Sequence, residues 1–194
     1  MAAPKILTEA DYFAADLASD SKLDFIDGKI IDSRALIYAM AGGAYNHSLV
    51  SSNLVAALNA ALKGRPCRAH GSELRVAMPK GNYVYPDALV ECGKPDLRNE
   101  RGSDTLLNPL AVYEVLSPST EKTDRGPKLD DYTAVPSIGE ILLVRPDAPR
   151  IERYVRFEGG WRWEATVGLG ASLRTLDVEI PMGEIYAGVE FPLE

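Results

Sequence analysis

A chain of 194 residues with 46% hydrophobic content is long enough for one well-filled core and too short for two ordinary domains, so a single domain spanning residues 1–194 is expected. The net charge of −7, from 21 basic and 28 acidic residues, excludes a protein that coats nucleic acid through a general surplus of positive charge. No apolar run reaches the roughly 18 residues of a membrane helix, residues 1–5 carry no secretory pattern, and Cys67 and Cys92 lack a Cys-x-x-Cys spacing. A cytoplasmic chain with reduced thiols, no membrane contact and no zinc site is expected.

Thr8, followed by Glu9, Asp11 and apolar positions through Leu17, predicts a capped helix ending near Ser19. Leu23 to Ile26 and Lys29 to Ile31 flank Asp27 and Gly28, a strong two-residue hairpin signal. After Gly42 and Gly43, the recurrence of Leu49, Leu54, Leu58 and Leu62 predicts a long helix from about Ala44 to Leu62, which Gly64 and Pro66 stop. The period then falls to two. Cys67 to Val76, Tyr83 to Glu91 and Leu110 to Leu116 read as successive strands, with a polar loop from Gly93 to Asp104. Thr123 or Asp124 is placed to cap a helix that takes Pro127 in its first turn and runs to about Tyr132. Gly139 to Val144 is the next strand, and a helix between two strands of one sheet calls for a parallel crossover. The tail reads as an antiparallel hairpin, Arg150 to Phe157 and Trp161 to Val167, and a short strand, Ser172 to Leu176, that extend the sheet. The fold class expected is α/β (α+β): a mixed sheet with helices on its faces, an N-terminal helix and hairpin before it, and antiparallel strands after it.

Two acidic residues sit where strands want none. Asp87 lies between Val84 and Val90, and Glu114 lies between Leu110 and Leu116. Burying a carboxylate costs several kcal/mol unless something cationic compensates, and a divalent metal is the simplest compensation. Lys128 lies on the following helix, spaced i, i+4 from Asp124 and i, i+3 or i+4 from Asp131 and Tyr132. If the helix starts at the end of the Glu114 strand, it aims Lys128 at the same point, where open α/β sheets bind ligands. Each residue also has a plainer reading. Asp87 could be a turn residue after Pro86, Glu114 an ion-pair partner of Arg75 or Arg125, and Lys128 a solvated partner of Asp124 or Asp131. His47, on the polar side of the long helix, could touch a phosphate or simply be satisfied at the surface, and Tyr132 could be packing. Asp124 and Arg125 at the helix start could bind phosphate or only cap. Ser117, Ser119 and Thr120 have no sequence link to a histidine and read as loop-forming hydroxyls. Trp161 and Trp163 read as cross-strand packing.

Tyr85, Pro86 and Asp87, followed by Val112 to Thr120 and then by Asp124 to Lys128 and Tyr132, resemble the Uma family of restriction-endonuclease-like proteins, within the PD-(D/E)XK nuclease superfamily. Asp24 to Gly28 and His47 with Asn53 and Leu54 are similar to its N-terminal patterns, and the match covers nearly the whole chain. The resemblance implies an αβββαβ core and a Mg²⁺-dependent endonuclease, with Mn²⁺ able to substitute, acting on nucleic acid, DNA above all; cutting both strands needs two active sites, so a homodimer is expected. It implies that Asp87, Glu114 and the Val115 carbonyl hold the metal. The superfamily's lysine stands two residues after the glutamate; here that position is Leu116, and the resemblance implies that Lys128 takes the role. Glu73 and Asp24 become candidates for outer or second-metal contacts. Local basic residues, among them Arg65, Arg68, Arg75, Lys80, Lys122 and Arg125, would supply phosphate contacts. The missing lysine at 116 and the acidic charge leave open a catalytically silent nucleic-acid- or protein-binding module, and hydrolysis of a small phosphorylated molecule stays open as well.

Overall fold

The computed structural model describes residues 6–32, 43–100 and 102–191. Residues 1–5, from which the absence of a secretory pattern is read, and Gly42 lie outside them. Helix α1 (Glu9–Ala18) begins at Thr8, whose hydroxyl accepts the Asp11 N–H while the Asp11 carboxylate accepts the Thr8 N–H. Strands β1 (Asp24–Ile26) and β2 (Lys29–Ile31) close through Asp27 and Gly28, both at positive φ (49° and 73°), as a two-residue hairpin turn requires. Helix α2 (Gly43–Ala61) buries Val50, Leu54 and Leu58.

Two stretches expected as single strands are each broken in the middle. Cys67 to Val76 is β3 (Cys67–Gly71) and β4 (Arg75–Ala77); Tyr83 to Glu91 is β5 (Tyr83–Val84) and β6 (Ala88–Cys92). The halves enter different sheets. In the second case Pro86, with no N–H for a ladder, stands at the break. The loop expected from Gly93 to Asp104 instead holds a hairpin, β7 (Leu97–Glu100) and β8 (Ser103–Leu106), because β8 finds a parallel partner in β4. Its mostly exposed polar side chains hide that pairing from the sequence.

The main sheet has the order β12-β11-β10-β9-β6-β3, with β9 (Ala111–Val115), β10 (Glu140–Val144), β11 (Arg150–Phe157) and β12 (Gly160–Val167). Strands β9 and β10 run parallel and the other neighbours antiparallel. A helical segment links β9 to β10: α3 (Glu121–Thr123), a wide turn over Asp124–Lys128, and α4 (Leu129–Ala134). Taken in chain order, α2, β3, β6, β9, this segment and β10 form the αβββαβ core. The second sheet runs β2-β1-β5-β4-β8-β7. Strand β13 (Ser172–Thr175) pairs with β14 (Val178–Pro181) in a separate ribbon rather than extending the main sheet, since Leu176 and Asp177, both at positive φ, fold the chain straight back. Helix α5 (Met182–Ile185) follows.

Strand alternation sorts the core into two layers. Ala88, Val90, Ala111, Tyr113, Val115, Leu142 and Val144 pack with α2, β13, β14 and α5. Leu89, Val112 and Ile141 pack on the other face with Val76, Val84 and Leu106 of the second sheet and with Tyr132 of α4. Glu114, two residues after Val112, therefore belongs to the face that meets the second sheet. Arg75, a candidate phosphate contact from sequence, is 1% exposed and bound to Asp16 (2.9 Å), Glu100 (3.4 Å) and Thr105 (2.8 Å), so it ties α1 to the second sheet instead.

The reduced-thiol expectation is corrected: Cys67 and Cys92 form a disulfide. They are register partners of β3 and β6, in a pair flanked by the Gly93 N–H to Pro66 carbonyl bond, the closely spaced kind in which side chains meet. Sequence spacing gives no sign of this, because it depends on which strands become neighbours. Closing a 25-residue separation limits the unfolded chain, so Cys67→Ser with Cys92→Ser is expected to cost about 3 kcal/mol, read by chemical denaturation. Among the described residues no helix is long and apolar enough to cross a membrane.

Candidate active site

Register places Ala88 of β6 opposite Tyr113 of β9, so one further step sets Asp87 beside Glu114 at adjoining strand ends. The Asp87 carboxylate accepts the Val115 N–H (2.8 Å), which pins it across the gap between the strands. Glu114 is 2% exposed.

Lys128 reaches this point through the wide turn. The helical segment starts at Glu121, earlier than expected, so Thr123 and Asp124 lie inside it rather than at its cap. The residue before a proline is pushed out of helical geometry, and Gly126 takes that conformation (φ −110°, ψ −109°). Pro127, with no N–H, sits mid-segment instead of in a first turn, and the turn widens to the π type. The Lys128 ammonium lies 2.8 Å from Glu114 Oε1, 3.3 Å from Asp24 Oδ2 and 3.4 Å from Asp124 Oδ1. One turn later the Tyr132 hydroxyl donates to the same Glu114 oxygen at 2.6 Å. Asp24 arrives from β1 in the second sheet, its other oxygen accepting the Tyr85 N–H at 2.8 Å. The site thus draws on both sheets.

Burial pushes the Glu114 carboxyl up to about 8; Lys128 pulls it down, while Asp124 and Asp87 push it further up. Asp124 is raised for the same chief reason, burial, opposed by Lys128 and by a hydrogen bond from Thr120. Burial alone would lower Lys128, yet Asp24, Glu114 and Asp124 hold it well above its ordinary value, so its ammonium stays charged. The carboxyl groups of Asp24, Glu114 and Asp124 surround one permanent cation, and Asp87 lies close enough to Glu114 and Asp124 to act on both.

His47 does not lie on a polar face: it is buried, with Nε2 3.4 Å from Asp87 Oδ2, and it also contacts the Val115 backbone. Against the cost of burial, Asp87 and the Val115 carbonyl raise its pKa. Glu73 is not brought to the cluster; its side chain is exposed and pairs with Lys22. Arg125 turns away into a two-pronged pair with Glu152 (2.9 and 3.1 Å) and a bond to Glu121 (2.7 Å). Arg65 is spent on the carbonyls of Leu176 and Asp177.

Residues 10–183 match the family model Uma2, described as "Putative restriction endonuclease". The chain belongs to the Uma2 family. Two Synechocystis sp. proteins are similar to this Uma2 chain: slr1290, 32% identical with 97% of this chain and 95% of that protein covered, and sll1609, 29% identical with 88% and 92% covered. A crystal structure from Anabaena variabilis, described as "a putative nuclease belonging to DUF820", superimposes with a TM-score of 0.70 at 21% identity, over 93% of this chain and 98% of that one. That likeness identifies the restriction-endonuclease-like fold.

The Uma2 cluster suits a divalent metal by charge and by donor type. Its donors are hard carboxylate oxygens, and burial, with Asp124 and Asp87 adding to it, is enough to hold a proton on Glu114 near neutrality in spite of Lys128. Among the described residues no three His, Cys, Asp or Glu side chains converge into a finished cage. An ion that takes few protein oxygens and keeps several waters needs none. Thr120, read from sequence as a loop former, proves to be buried against Asp124. Its position four residues before Asp124 was the available signal.

Proposed function

We propose that this cluster is the catalytic centre of a Mg²⁺-dependent endonuclease that hydrolyses phosphodiester bonds in DNA, with Mn²⁺ able to substitute. The observation that carries the reading is the placement of Asp87 and Glu114 side by side with the Lys128 ammonium 2.8 Å from Glu114. Asp87, Glu114 and the Val115 carbonyl would hold the metal. When bound, it would lower the pKa of a coordinated water and neutralise charge developing on the phosphate. Lys128 positions the attacking water or balances charge on the phosphate oxygens, the task that Leu116 cannot perform. Asp24 and Asp124 hold Lys128 in place, and Tyr132 fixes the Glu114 carboxylate. His47 steadies Asp87 from the α2 side.

The test is nicking of supercoiled plasmid with Mg²⁺, with RNA and small phosphate esters as rival substrates. No cleavage of any of them, in a protein that binds the metal, removes the hydrolytic reading. Cutting both strands calls for two centres, hence a homodimer. The proposed setting is the cytoplasm, and the Cys67–Cys92 disulfide is the observation against it.

A raised carboxyl gives the metal a competitor. Below about 8 Glu114 keeps its proton, which binding must displace, so Mg²⁺ affinity is expected to rise by up to about tenfold per pH unit up to that point and then level off. Calorimetric titration across that range reads the slope, and a flat profile places the metal elsewhere.

A second reading, a silent binding module that keeps the fold, is favoured by one observation: Arg65, Arg75 and Arg125 are already engaged within the chain. Absence of Mg²⁺ and Mn²⁺ binding at millimolar metal would favour it.

A further inference from the structure

Strand β12 is an edge of the main sheet, eight residues long, with an unbroken register to β11. It lacks the proline or bulge that commonly protects an edge. The Gly168 N–H to Pro149 carbonyl bond makes Arg150 and Val167 a non-hydrogen-bonded pair, and alternation fixes the rest of the strand. The N–H and C=O groups of Trp161, Trp163, Ala165 and Val167 therefore point away from β11, and among the described residues β12 has no other strand partner. On the same residues the side chains of Trp163 and Val167 are 51% and 59% exposed.

We infer that β12 pairs antiparallel with β12 of a second copy of this chain, about a two-fold axis at Trp163. Outward-pointing groups must meet outward-pointing groups, so Trp163 pairs with its own copy and Trp161 with Ala165 of the other chain. This register sets Arg162 opposite Glu164 of the other copy, and Glu164 opposite its Arg162, in the pair type that brings side chains closest. A slip of one pairing step in one direction opposes Glu164 to Glu164, and in the other direction Arg162 to Arg162. Charge thus selects a single alignment, and the alignment is self-complementary as a two-fold interface demands. Within the chain Glu164 already pairs with Arg153, which also holds Glu140, while Arg162 makes no ion pair with a described residue. The second copy gives Arg162 its counter-charge. The interface supplies the dimer of the proposed function but stands on β12 alone, and its test reads mass rather than cleavage.

Sedimentation velocity on the full chain should find a dimer. Arg162→Glu opposes two glutamates across the interface and Glu164→Arg opposes two arginines, so each variant alone should sediment as a monomer. Mixed together, the two should recover the dimer mass as a heterodimer, because every facing pair is then complementary. That recovery also shows that both variants are folded. A monomeric wild type overturns the proposal, as do dimeric single variants or a mixture that stays monomeric.

Discussion

Replacing Asp87 by Asn, or Glu114 by Gln, is expected to lower Mg²⁺-dependent plasmid cleavage by on the order of 10³-fold while leaving the fold intact. Both substitutions keep shape and remove the capacity to present a carboxylate charge to the metal. At position 114 the amide oxygen still accepts from Tyr132, and Lys128 keeps Asp24 and Asp124 as partners. Because burial already disfavours the charged form of Glu114, its neutral replacement costs little stability. Loss of cleavage without loss of melting temperature separates the chemical role of the carboxylate from a structural one. Cleavage at the wild-type rate in both variants would remove these residues from the mechanism.

Lys128→Met should have the largest effect on stability. The methionine matches the length of the stem but leaves Asp24, Glu114 and Asp124 facing one another in a buried site with no cation. Removing one member of a buried ion cluster costs about 3–5 kcal/mol, which in a domain of this size corresponds to a melting temperature lower by on the order of 10 °C. The pH dependence has a definite sign. Carboxyls held above their unfolded pKa bind more protons folded than unfolded, so their contribution to stability falls as pH rises toward the folded pKa. Without Lys128 that shift grows, and the deficit against wild type should widen as pH rises and close in acid. Thermal melts by circular dichroism over a pH series measure it. A deficit that is constant with pH would assign the loss to packing rather than charge.

The parts of this chain that could be read from sequence are those in which near neighbours decide. Thr8 with Asp11 fixes a helix start, Asp27 with Gly28 fixes a hairpin, and the leucines of α2 fix its buried face. Asp87 and Glu114 stood out because their neighbours are apolar, and Lys128 because it follows the strand on a helix. What could not be read depends on partners distant in sequence. Breaking Cys67 to Val76 and Tyr83 to Glu91 into halves requires a second sheet to receive β4 and β5. The disulfide requires β3 and β6 to be neighbours in one register, and Asp24 joins the cluster only because that second sheet folds over the strand ends. Arg75 and Arg125 look like phosphate contacts in a linear reading, since their carboxylate partners lie up to 59 residues away in the chain.

The widened turn at Asp124–Lys128 also sets how this protein tolerates change. Each residue advances a helix by about 100°, so one deletion there would swing the ammonium to another side of the segment. The core strands lie outside the turn and would assemble as before. Length variation at Gly126 and Pro127 would thus dismantle the charge cluster without any substitution at an acidic position, at a cost in stability like that of losing the lysine itself.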